Sequence, residues 1–67
     1  MITKNFYCTS DCNSYLEIIS DPNAPFVEFI ISEKIPNGKK IVGYVEVSYK
    51  DLDELKKYID QLSNERL

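Results

Sequence analysis

Residues 26–48 read FVEFIISEKIPNGKKIVGYVEVS, two segments rich in Ile, Val and Phe on either side of Pro36-Asn37-Gly38. The flanks have the composition of strands and the centre is a tight-turn signal, so the stretch reads as a β-hairpin. Its register decides which side chains share a face. A two-residue Asn37-Gly38 loop sets Ile31 opposite Tyr44 and Phe29 opposite Glu46, mixing apolar and charged residues on both faces. A three-residue Pro36-Asn37-Gly38 loop sets Val27 opposite Val47, Phe29 opposite Val45 and Ile31 opposite Gly43, which makes one face cleanly apolar. Turn chemistry agrees: Pro presets the first position, Asn suits the second, and Gly takes the left-handed one. The three-residue loop is the expectation, and a slip of one residue would turn the whole apolar set outward.

Upstream of the hairpin, TSDCNS (9–14) and DPNAP (21–25) are clusters of turn formers. They separate two further strand-like segments. Strands are expected at about 2–8, 15–20, 26–35 and 39–48, joined by connections too short for parallel crossovers and therefore antiparallel. After Ser48 the period changes. Leu52, Leu55, Tyr58, Ile59 and Leu62 recur at helical spacing, Ser48 and Asp51 resemble a capping box, and acids crowd the first turn where the helix dipole favours them. A helix over about 51–65 follows. The expected fold is α+β: a four-stranded antiparallel β-meander with one C-terminal α-helix packed on one face. Leu55, in mid-stripe, is expected to be fully buried.

The length of 67 residues, 43% of them hydrophobic and 28% charged, fits one small globular domain over 1–67. Chains this short have modest stability and often gain more by pairing, so a homodimer is among the expectations. No apolar run approaches the ~18 residues that span a bilayer, and MITKNFYC lacks the apolar core of a signal peptide. The absence of histidine excludes histidine catalysis. A net charge of −3 and a pI near 4.7 remove the basic footprint of a dedicated nucleic-acid binder. Cys8 and Cys12 are too few for a disulfide framework or a four-ligand zinc site, so the cytoplasm is the expected compartment, with no metal and no cofactor.

The helix is expected to cover the clean face, joined there by Leu16, Ile18, Phe6 and Cys8. The other face is left without cover inside the chain. It carries Tyr7, Tyr15, Ile19 and Phe26, then Ile30, Val42 and Tyr44, interleaved with Glu17, Glu28 and Glu46. An apolar patch this large on a small protein points to an interface, and tyrosine suits one because its ring buries area while its hydroxyl finds a partner. The register also sets Glu28 opposite Glu46, a like-charge pair that an external Lys or Arg would relieve. Tyr15, Glu17, Phe26, Glu28, Ile30, Tyr44 and Glu46 are therefore the candidate binding residues. The three glutamates lack the cleft that general acid/base work requires, so no catalytic role is expected. Lys34, Lys39 and Lys40 read as a solvated hairpin tip.

In element order alone, four strands followed by a helix is similar to a family of dimeric single-strand-binding transcriptional coactivators, and no sequence motif carries residues across. That resemblance implies stacking of bases on the aromatic sheet. It is the alternative reading, and nucleic acid is disfavoured because the glutamates would repel phosphates. The expected function is a small acidic, non-catalytic protein-binding module that meets a basic partner surface through the open sheet face. Its size, acidity and Ile/Lys/Asn-rich composition suit a phage or bacterial accessory or inhibitory protein. A third reading is a structural homodimer whose outer sheet face is self-complementary.

Overall fold

A computed structural model describes residues 1–66, without the side chain of Arg66. The chain forms β1 (Ile2–Tyr7), β2 (Ser14–Ser20), β3 (Phe26–Ile35), β4 (Gly38–Ser48) and α1 (Tyr49–Arg66). The strands make one antiparallel sheet in the order β1-β2-β3-β4, and α1 lies against one face. This is the α+β meander expected from the hydrophobic pattern, with element ends shifted by one or two residues.

Local chemistry accounts for each connection. In the first turn the Asp11 carboxylate accepts the Asn13 backbone N–H at 2.9 Å and the Ser14 hydroxyl at 3.0 Å, and in the second the Asp21 carboxylate accepts the Asn23 N–H at 2.9 Å. Both are aspartate side chains standing in for a backbone turn acceptor. Strand β4 runs into α1 with no intervening loop. Ser48 closes that junction, its hydroxyl oxygen accepting the Asp51 N–H at 3.2 Å as an N-cap.

The hairpin has the expected register but reaches it by another route. Val27 faces Val47, Glu28 faces Glu46, Phe29 faces Val45, Ile30 faces Tyr44 and Ile31 faces Gly43. The loop, however, is Pro36-Asn37, because Ile35 pairs directly with Gly38. Gly38 takes φ +137°, a backbone conformation that other residues rarely adopt, and so absorbs the tighter connection. The extra residue expected in the turn is displaced into β4. Pairing shifts between Ile31/Gly43 and Ser32/Ile41, leaving Val42 as an unpaired bulge beside a strand-interior glycine, where the ladder is weakest. Val42 is thus not the outer-face partner it was expected to be. Ile41, opposite Ser32, occupies that face instead.

Cover on the helix side is incomplete. Among the described residues, the buried apolar side chains are Val27 and Ile30, at 3% and 6% exposure, one on each face of the sheet. Leu55, expected to be fully buried, is half-buried. The reason lies in the junction: with no loop after Ser48, α1 starts at the β4 edge, and among the described residues its backbone lies close to β3 and β4 and not to β1 or β2. An apolar groove of about 340 Å³ remains between helix and sheet, walled by Ile18, Phe29, Leu52, Leu55 and Ile59. Beyond it Phe6, Leu16 and Ile31 line a second hollow of about 330 Å³ that the helix does not reach. The molecule measures 38 × 35 × 17 Å, a broad and thin shape.

Candidate binding face

The face turned away from α1 is built in rows, because residues paired across antiparallel strands point to the same side. One row runs Thr3, Ile19, Glu28, Glu46. The next runs Asn5, Glu17, Ile30, Tyr44, and the third Tyr7, Tyr15, Ser32, Ile41. Phe26 flanks the first row and Lys34 and Lys39 close the other end. All seven candidate residues therefore share this face. Tyr44 and Glu46 are exposed, while Tyr15, Glu17, Phe26 and Glu28 are half-buried. Ile30 is buried, so it supports the face from beneath while its neighbours form the surface.

Side chains of the face are tied to one another. Lys39 Nζ lies 2.8 Å from Glu17 Oε1, and since β3 stands between β4 and β2 the ion pair bridges over it. The β3 residues directed outward there are Ile30 and Ser32, and Ser32 is fully buried, its Oγ without a hydrogen-bond partner among the described residues. The pairing with Glu17 holds the Lys39 ammonium above its ordinary pKa, the hydrogen bond being the main cause. Tyr7 and Tyr15 pack with ring centroids 5.2 Å apart and planes tilted by 39°, and Lys34 Nζ lies 4.8 Å from the Tyr7 ring centroid. The hairpin lysines are exposed, as expected of a solvated tip, but two of them reach back over the outer face: Lys39 to Glu17 and Lys34 to the Tyr7 ring, while Lys40 stands opposite Glu33 in the register on the helix side.

At the opposite end the face is acidic. Glu28 and Glu46 stand directly opposite each other, and the Tyr44 hydroxyl donates to Glu46 Oε2 at 2.9 Å. Desolvation raises the Tyr44 pKa, and the hydrogen bond to Glu46 and the charges of Glu28 and Glu46 raise it further. The hydroxyl therefore stays protonated and supplies Glu46 with one donor. Glu28 receives no such bond among the described residues. A ledge of Ile19, Phe26 and Tyr44 around two carboxylates can hold a cation by charge and its aliphatic or planar stem by contact.

The sequence reading did not find the Lys39–Glu17 bridge or the outward Ile41. Both depend on the bulge, and the signal for it was Gly43, a glycine inside a strand. Away from the sheet, the exposed Cys8 thiol has its pKa lowered by the Ser10 backbone N–H, then by the Ser10 hydroxyl and the Asp11 backbone. Among the described residues no group of three or more His, Cys, Asp or Glu is placed to hold a metal ion, and no helix is long and apolar enough to cross a membrane. No family model, curated protein or solved structure matches the chain.

Proposed function

We propose that the chain is a non-catalytic protein-binding module whose outer sheet face receives a basic surface of another protein. The observation that carries this reading is the Glu28–Glu46 pair at one end of the face, framed by Ile19, Phe26 and Tyr44. Two facing carboxylates destabilise the free protein slightly, and a guanidinium or ammonium from a partner would reverse the sign of that contribution. Tyr44 is the aromatic anchor, exposed and hydrogen-bonded along its own strand. If the basic surface belongs to a nucleic-acid enzyme, the carboxylates occupy its phosphate-binding positions and the module acts as an inhibitor or accessory factor.

Single-strand nucleic-acid binding is the competing reading. The Tyr7–Tyr15 pair beside Lys34 is the part of the face that favours it. One substitution separates the two. Glu28→Lys should slow capture of a basic protein partner and weaken its dependence on salt, whereas it should strengthen retention of a labelled single strand. Tyr44→Ala should reduce partner affinity by about 2 kcal/mol or more, as loss of a central anchor does. Partner capture from a native extract that is indifferent to both substitutions would remove the outer face as the working surface.

A further inference from the structure

A folded monomer of this mass exposes about 4,400 Å² of surface. This chain exposes 5,531 Å², an excess of about 1,100 Å², where a standard interface covers about 800 Å² per partner. Its radius of gyration is 13.8 Å, against about 11 Å for a compact domain of the same length. Part of the excess has an identifiable apolar source on the helix side. The C-terminal half of α1 carries Tyr58, Ile59 and Leu62, each 41% exposed or more, with Ile59 at the groove over Ile18 and Phe29 and Tyr58 and Leu62 outside it. A row across β1, β2 and β3 carries Phe6, Leu16 and Ile31, and it lines the second hollow, which no α1 residue walls.

One chain therefore holds both halves of an unmade contact: an apolar helix ridge left exposed, and an apolar sheet row without a helix. A two-fold interface satisfies both at once, each patch meeting its complement on an identical copy in a closed pair. We infer that a second copy of the chain closes the helix-side face, in a symmetric dimer in which the Tyr58–Leu62 ridge of each protomer lies on the Phe6–Leu16–Ile31 row of the other. A standard interface of about 800 Å² per protomer fits within that excess. The dimer leaves both outer sheet faces pointing away from its centre. It does not depend on what those faces bind.

Sedimentation equilibrium of the full chain, from low to high micromolar concentration, should return twice the 7.8 kDa protomer mass. Leu62→Lys and Phe6→Glu should each weaken the dimer by about thirtyfold or more. Both positions are exposed in the protomer, and far-UV circular dichroism should show the fold retained, with Leu62→Ala as the milder variant. Mixing the Leu62→Lys and Phe6→Glu proteins should restore a dimer, because one of its two equivalent contacts is then wild type and the other joins opposite charges. A wild-type chain that stays monomeric at high micromolar concentration overturns the inference. So does a dimer that survives both substitutions but dissociates on Tyr44→Ala, since that places the interface on the outer face.

Discussion

Gly38 holds φ +137° with no heavy atom within 4 Å of the position a Cβ would occupy. Replacement there is therefore a matter of backbone strain and not of collision. Gly38→Val should cost about 1–2 kcal/mol by urea denaturation, with the hairpin register preserved. An unchanged midpoint would mean that the two-residue loop does not depend on this conformation. Two other residues bear on the alkaline stability of the fold. Lys39 and Tyr44 both have folded pKa values above their ordinary ones, the first through its bond to Glu17, the second through desolvation and the neighbouring carboxylates. In both cases the folded state holds its proton more tightly than the unfolded chain. Their contribution is thus complete below about pH 10, the ordinary range for these groups, and is lost as pH rises through the folded values. A thermal midpoint followed from neutral to strongly alkaline pH should fall there, and Lys39→Met with Tyr44→Phe should flatten the fall.

Among the elements, α1 forms for reasons local to itself: an N-cap at Ser48, acids in its first turns and an apolar stripe. Its docking is partial, because the strand-to-helix junction confines it to the β3–β4 side. Leu55→Ala should therefore cost only about 1–2 kcal/mol, since the side chain is half-buried over an open groove. Val27→Ala removes fewer carbons from a fully enclosed position and should cost about 2 kcal/mol or more. Equilibrium unfolding of the two variants checks the order. If Leu55→Ala proved clearly the more damaging, the helix would be packed more deeply than its position over β3 and β4 implies.

On the scale of the whole molecule, a sheet with a partial helical cover and, among the described residues, two buried apolar side chains has little core of its own. Closure by a second copy would couple folding to association. The thermal midpoint of the wild-type chain should then rise with protein concentration, while that of Leu62→Lys should not. A midpoint independent of concentration in both proteins would separate folding from association and argue for a self-sufficient protomer.

Element order, the shared face of the seven candidate residues and the body of the β3–β4 register were legible in residues 1–67, because hydrophobic alternation and turn chemistry are local and strongly periodic. Phe26, Glu28, Ile30, Tyr44 and Glu46 share a face by pleat alone, whichever way the loop is closed, once Val27 and Val47 are paired. The bulge at Val42 was not legible in the same way: a displaced residue leaves the downstream register unchanged, so two turn geometries fit one pattern. Nor could the stripe of α1 reveal how much sheet it covers. That depends on where the helix begins relative to the sheet edge, and only the loop-free junction at Ser48 decides it. The bridge from Lys39 to Glu17 is likewise tertiary. It joins strands that are not neighbours, and neither residue signals the other until β3 is laid between them.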